Sequence, residues 1–261
     1  MLIAAVVLVG IAVVLGIIGR VMAGKAVLIA GTEKVTAAAL EADAKAAASE
    51  IGAGSFSKYI EVSGSIVCAS PIEAELSGTK CVHYETKVIR EYEETYVETN
   101  SDGSSRTQTR RGTDNVSSNS RSCLFSIDDG TGKIEIDPAG AEFHLETTMS
   151  RFEPGEGART IGSYILNSMV NVGSRRTIGY RFEEKCLPVG RQGYVFGEIG
   201  DDAGALRVRK SKDHGKRLIV SLKSEAELVR SAKLGALWLT IGAGVALAAA
   251  VATFILGLPR R

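Results

Sequence analysis

The chain has no Cys-x-x-Cys pair: its four cysteines, Cys68, Cys81, Cys123 and Cys186, lie far apart, and its three histidines are equally scattered. Structural zinc sites usually show ligands two to four residues apart, so no metal site is expected. Cys81-x-His83 is the nearest approach, and it reads as a buried thiol beside a strand histidine. One or two disulfides stay open, should the domain face an oxidising compartment. Also missing is a G-x-S-x-G elbow or comparable turn that would present a nucleophile to His83, His144 or His214. The acid pairs Asp128-Asp129, Glu183-Glu184 and Asp201-Asp202 are adjacent in sequence. In a strand such neighbours point to opposite faces, and in a turn they are solvated. No catalytic residue and no cofactor is therefore expected. The net charge of +1 leaves no global field to recruit nucleic acid.

What the chain does have is two long apolar runs, residues 2–19 and 234–258, neither containing an ionisable side chain. Each is about long enough to cross a hydrocarbon core of roughly 30 Å. A pore, pump or proton relay needs polar groups inside the membrane and is not expected. Residues 21–23, Val-Met-Ala, loosely fit a signal-peptide cleavage site, so the first run has that alternative reading. Arg230 and Lys233 precede the second run, Trp238 stands near its start, and Arg260 and Arg261 follow it. Arg20, Lys25 and Lys34 with Lys223, Arg230 and Lys233 lean towards a cytoplasmic central domain, against Arg260 and Arg261. The organisation expected is a transmembrane helix at 1–20, an alanine-rich juxtamembrane helix and linker at 21–53, and a β-rich domain at 54–223. A helix running into the second span at 224–258 and a basic tail at 259–261 complete it. Thin apolar patterning in the juxtamembrane helix, mainly Leu40, Ala44, Ala47 and Ile51, suggests that it packs lightly or acts as a spacer.

In the central domain the two-residue period of strands takes over from Tyr59. Val82, Tyr84, Thr86, Val88, Tyr92 and Tyr96 share one face of a long strand. A polar hairpin tip at 98–115 follows, centred on Asn100, Asp102 and Gly103. Its outgoing limb carries Glu91, Glu93, Glu94 and Glu98, and its returning limb Arg106, Arg110 and Arg111, an arrangement suited to cross-strand ion pairs. Nucleic acid is not an expected partner, because these arginines have acidic neighbours. The hairpin residues Asn100, Asp102, Arg106, Arg110 and Arg111 are instead the candidate interaction site, since projecting polar loops on rigid scaffolds commonly carry recognition. The Asp-Asp-Gly-Thr-Gly-Lys stretch at 128–133 reads as a strand corner. A phosphate loop would need glycine at 127 and a hydroxyl residue at 134, and both positions are isoleucine. Residues 150–166 read as a loop with a short helical piece, and 172–222 as further strands. Ser224 to Glu227 spell a capping box that opens the last helix.

Four blocks, VSGSIVCASPIEAELSGTKCVHYETKVIREYEE, SCLFSIDDGTGKIEIDPAGAE, GYRFEEKCLPVGRQGYVFGEI and LIVSLKSEAELVRSAKLGALW, together resemble the GIDE domain, also called BAM, beside-a-membrane. The resemblance covers about residues 59–237 and both spans. That domain lies between two transmembrane helices in Mulan-type RING ubiquitin ligases of mitochondrial and chloroplast outer membranes. A RING holds two zinc ions with eight Cys or His ligands, whereas four Cys and three His are all these 261 residues contain. The resemblance therefore implies a RING-less, prokaryotic-type member in a bacterial plasma membrane, with no ligase residue to carry over. It implies a mainly β domain, OB-like or barrel-like, with two transmembrane α-helices and a juxtamembrane helix. The implied role is binding or recruiting other membrane or membrane-proximal proteins at the bilayer, with a homo-oligomer left open. The alternative is a subunit of a ligase-like or other enzyme complex that acts with a catalytic chain in trans.

Overall fold

The computed structural model describes residues 2–256, apart from 53, 100–102, 156–158, 162–163, 167–174, 203–204 and 214. The helices are α1 (Leu2–Ala30), α2 (Ala37–Ile51) and α3 (Glu225–Leu256). The strands of the first half are β1 (Glu33–Lys34), β2 (Ser57–Val67), β3 (Ile72–Glu73), β4 (Lys80–Thr99), β5 (Ser105–Ser122), β6 (Phe125–Asp128) and β7 (Lys133–Ile136). Those of the second half are β8 (Glu142–His144), β9 (Glu146–Pro154), β10 (Arg159–Ile161), β11 (Tyr164–Leu166), β12 (Arg175–Pro188), β13 (Gln192–Asp202), β14 (Ala205–Arg209) and β15 (Ile219–Ser221).

Five strands close on themselves in the order β2-β6-β7-β14-β13, with β13 returning to β2. Only the β7–β14 seam of this ring is parallel. Closure removes the free edges that an open sheet would expose, and a five-stranded barrel of this kind is OB-like. Alternating residues fill it: Ile60, Val62 and Ile66 from β2, Phe125 and Ile127 from β6, Ile134 and Ile136 from β7, Val195 and Ile199 from β13, and Val208 from β14. Gly64 is obligatory at the closure, because a Cβ there would lie 2.3 Å from the Asp128 carbonyl oxygen.

Two long insertions interrupt the barrel. One, between β2 and β6, carries β3, β4 and β5; the other, between β7 and β13, carries β8 to β12. They meet where β4 pairs with β12, and a second sheet forms in the order β3-β4-β12-β9, with β5 also on β4. Its apolar contacts are made by Val88, Tyr180 and Phe182, and by Cys81, Tyr84 and Cys186. The stretch read from sequence as partly helical is extended: β9 lies along β12, and β10 pairs with β11. β9 is an edge strand with Arg151 and Phe152 exposed, so it lacks the apolar alternation that marks a strand in sequence.

Helix α2 is held more firmly than its composition suggests. Ala37 and Leu40 are fully enclosed in the barrel core, and Thr36 caps the first turn by accepting a hydrogen bond from the Ala39 amide. The 128–133 corner reaches it from the far side of the sequence: Asp129 Oδ2 accepts from the Ala37 amide at 2.8 Å, and Thr131 Oγ1 from the Ala38 amide at 3.2 Å. That corner is a strand turn, as read, and also the clamp on this helix.

Helices α1 and α3 run antiparallel, and both are long and apolar enough to cross a membrane. Small residues set their register. A Cβ at Gly19 would sit 3.4 Å from Leu239 Cβ, Met22 lies against Gly235, and Leu15 against Gly242. The apolar stretches 2–19 and 239–256 therefore lie side by side, each about 27 Å long at 1.5 Å per residue. α1 continues past its apolar run to Ala30 and meets the barrel wall, where Ile29 and Leu228 pack on Phe196 and Ile219. Strand β13 thus buries Val195 and Ile199 inwards and Phe196 against the helices. Lys25 adds a two-pronged ion pair to Glu142 on β8, at 2.6 and 2.9 Å, and the capping box is formed, with the Ser224 amide donating to Glu227 Oε2 at 2.9 Å.

Under this junction lies Glu61, fully buried on the outer face of β2, with Lys34 Nζ 3.5 Å away and neither carboxylate oxygen hydrogen-bonded. Burial raises its pKa, Lys34 opposes the shift, and Glu225 at the start of α3 adds to it. A carboxyl with a raised folded pKa binds its proton more tightly in the native state, so stability falls as pH rises from about 4.5 through the folded value. Glu61→Gln removes that loss. We expect its melting temperature to exceed wild type by roughly 1–3 °C at pH 8, with the gap closing below pH 4.5, as read by thermal unfolding across pH.

Candidate interaction site

Alternating apolar residues give β4 its length, and the polar β5 is carried by pairing with it from His83–Ser122 to Thr99–Ser105. Twenty residues at roughly 3.3 Å each would span about 65 Å if β4 were straight, so the hairpin is the longest element of the domain. Gly112 lies across from Tyr92, and the tyrosine ring occupies the space where a side chain would stand: a Cβ would come 2.5 Å from the hydroxyl oxygen.

The charge pairing expected from sequence is present on two rungs. Glu93 faces Arg111 and Glu94 faces Arg110, with N–O distances of 3.1 and 2.6 Å. Arg175 on β12 reaches the same Glu94 at 3.0 Å, and hydrogen bonds from Arg175 and then Arg110 hold that carboxyl below its usual pKa range. On the neighbouring rungs Arg181 binds Glu91 at 2.6 Å and Arg90 binds Asp114 at 2.6 Å. Guanidinium groups also lie over aromatic rings: Arg90 and Arg175 over Tyr92 at 5.3 and 4.9 Å, and Arg110 over Tyr96 at 5.5 Å. Arg106 stands opposite Glu98, whose carboxylate is taken by Gln108 at 2.5 Å. Asn100 and Asp102 lie outside the described residues. Of the five candidate residues, then, Arg110 and Arg111 are engaged in the sheet, and Arg106 is exposed.

At the root of the hairpin the structure adds a feature that the sequence does not signal. A cavity of about 550 Å³ is lined by His83, Glu85, Ser122, Asp137, Phe143 and the 138–141 turn. A second, of about 460 Å³, holds Cys68, Phe125 and Lys133, and exposed Leu124 borders both. His83 is buried, stacks on Phe143 with ring centres 3.6 Å apart, and places Nδ1 2.7 Å from Ser122 Oγ. Burial lowers its pKa, against the opposing pull of Glu85, so the ring favours its neutral form. The acidic pairs read as turn or strand residues do fold that way: Asp128 and Asp129 accept from amides of their own turn, while Glu183 and Glu184 point to opposite faces of β12. Among the described residues no three Cys, His, Asp or Glu side chains converge as metal ligands would.

A family model for GIDE, described as E3 ubiquitin ligase, matches residues 93–256. The match starts within β4 and ends at the last residue of α3, so it takes in the outer end of the hairpin, strands β5 to β15 and the second long helix. Comparisons with curated proteins and with solved structures return no match. With more than half of its length matched, the chain belongs to the GIDE family.

Proposed function

We propose that the protein is a membrane-anchored, non-catalytic recruiting module whose hairpin meets other membrane or membrane-proximal proteins. The observation that carries this reading is the register of α1 and α3. Residues 2–19 and 239–256 lie side by side, about 27 Å long against a hydrocarbon core of roughly 30 Å, and the first apolar run stops beside Leu239, five residues inside the start of the second at Leu234. At that level stand Arg20 and Trp238, side chains suited to the headgroup layer, and Lys25, Arg230 and Lys233 follow in the next turns towards the domain. Helix α1 meets the barrel wall at Ile29, roughly 15 Å beyond the apolar boundary at 1.5 Å per residue. It rests at a bilayer surface, in a bacterial plasma membrane, with the basic flank favouring the cytoplasmic side.

The hairpin supplies the recruiting surface. Its ion pairs stiffen it, and stiffness lowers the ordering cost when a partner binds. Nucleic acid is a poor partner for arginines already held by glutamates. Deleting residues 100–112 from the full-length chain tests this. We expect the variant to float with liposomes and melt within a few degrees of wild type, while partners cross-linked in native membranes fall at least tenfold. Unchanged partners with an intact fold would remove the hairpin from the reading. The family's description as E3 ubiquitin ligase supports one other reading, a subunit working with a catalytic chain in trans. Turnover by the purified chain that depends on Cys81, His83 or the Asp128-Asp129 pair would overturn the non-catalytic role.

A further inference from the structure

The four cysteines, scattered in sequence, come together two by two in the fold. Cys81 on β4 and Cys186 on β12 are buried in one small cluster with Ala74 and Tyr84. Cys68 and Cys123 are half-buried, with their Sγ atoms 3.7 Å apart. Cys68 follows the last residue of β2, and Cys123 follows the last residue of β5, so the whole first insertion, β3 to β5, runs between them. Their backbones are held close. Val67 pairs with Ser126 in the barrel, and the Cys123 amide donates to the Val82 carbonyl at 3.0 Å. The two thiols also border open cavities, Cys68 beside Leu124 and Lys133, Cys123 beside Ser122 and Asp137.

We propose that Cys68 and Cys123 form a dithiol site for a small disulfide oxidant and close to a disulfide that staples the root of the β4–β5 hairpin. The Cys68 thiol, freed of its proton, attacks one sulfur of RS–SR; a Cys68–SR bond forms and RS⁻ leaves. Cys123 then loses its proton and displaces the second RS⁻ from Cys68, forming the Cys68–Cys123 bond. Both released protons end on the two thiolates as 2 RSH, so the protein gives up two electrons and the oxidant takes them. The sulfurs must approach from 3.7 Å to about 2.05 Å, within reach of side-chain rotation at half-exposed positions. Burial, with the neighbouring Cys68 thiol, pushes the Cys123 thiol up to about 11, so its thiolate is scarce at neutral pH. The second displacement therefore quickens with rising pH.

The test uses the full-length chain in detergent, treated with oxidised glutathione and weighed intact, first untouched and then after alkylation in denaturant, which opens the buried Cys81 and Cys186. We expect a loss of about 2 Da, two alkylable thiols left, and a linked peptide pair containing Cys68 and Cys123. Formation should be at least tenfold faster at pH 9 than at pH 7. The oxidised form should melt roughly 5 °C or more higher, because the bond closes a long loop in the unfolded chain, and dithiothreitol should reverse the gain. Cys123→Ser should stop at a stable glutathione adduct on Cys68, whereas the Cys81→Ser/Cys186→Ser double variant should still form the bond. An unchanged mass, a lasting glutathione adduct on the wild-type chain, or a link between any other two cysteines would overturn the proposal.

Discussion

Glu184→Ala should destabilise the protein by about 3 kcal/mol, lowering its melting temperature by roughly 10 °C. The carboxylate is fully buried on β12 and anchors the β3–β4 turn at Leu76 and Ser77. It takes the Leu76 amide at 2.7 Å, the Ser77 amide at 3.2 Å and the Ser77 hydroxyl, and Thr148 Oγ1 on β9 joins it at 3.2 Å. An ionised carboxylate only accepts, so four donors suit it. Alanine leaves those donors facing an apolar void, at about 1–3 kcal/mol for each buried group that water cannot reach. Ser77 is exposed, and its groups can turn to solvent, which keeps the estimate near the lower end. Glu184→Gln retains one acceptor oxygen but aims an NH₂ at other donors, so it should fall between alanine and wild type. Urea unfolding followed by tyrosine fluorescence reads both; an alanine variant within 1 kcal/mol of wild type would show that the turn does not depend on this carboxylate.

The second large effect should come from Asp129→Ala, at about 2 kcal/mol. Asp129 Oδ1 accepts from the Thr131 amide at 2.8 Å, the Thr131 hydroxyl at 2.8 Å and the Gly132 amide at 3.1 Å, while Oδ2 caps Ala37. One side chain thus closes the β6–β7 turn and holds the N-terminus of α2, where a negative charge also meets the helix dipole favourably. Removing it should free α2 first, seen as protease cleavage within residues 37–51 before the barrel melts. The effect also has a pH signature. Burial raises the Asp129 pKa, but hydrogen bonds from Ala37, Thr131 and Gly132 outweigh it and the carboxyl sits below its ordinary range. Such a group gives its full stabilisation above the unfolded pKa, near 3.9, and loses it as pH falls through the depressed folded value. The wild-type advantage over alanine should therefore hold from neutral pH down to about 4 and shrink below it. A constant gap down to pH 2 would mean that charge plays no part in the cap.

Those two residues also show where sequence reading stops. Sequence shows Asp129 as a turn residue and Glu184 as one of an adjacent acid pair, but not what they hold, because their partners are remote: Asp129 caps a residue 92 positions away, and Glu184 binds a turn 107 and 108 positions away. Local signals read well. The β4–β5 ladder follows from alternation and opposed charge, and the capping box of α3 from four consecutive residues. Barrel closure is another matter, since the parallel β7–β14 seam and the fit of Gly64 against Asp128 are tertiary facts with no local imprint. Nor does burial of α2 announce itself, because it rests on Ala37 and Leu40 in a helix otherwise rich in exposed alanine and charge. Strand β9 escapes a local reading for the opposite reason: it is an edge whose partner, β12, supplies the pattern that its own residues lack.

Strand β13 serves two neighbours at once, filling the barrel from one face and gripping α1 and α3 with the other. Both helices run unbroken from their apolar stretches to that grip, so no swivel separates the two parts. Inserting one residue into α1 between Arg20 and Ile29 would turn Ile29 by about 100° away from Phe196 and lift it 1.5 Å. Altitude and compass bearing of the whole body are thus locked to helical phase, and lengthening one shaft without its twin would set the pair at odds.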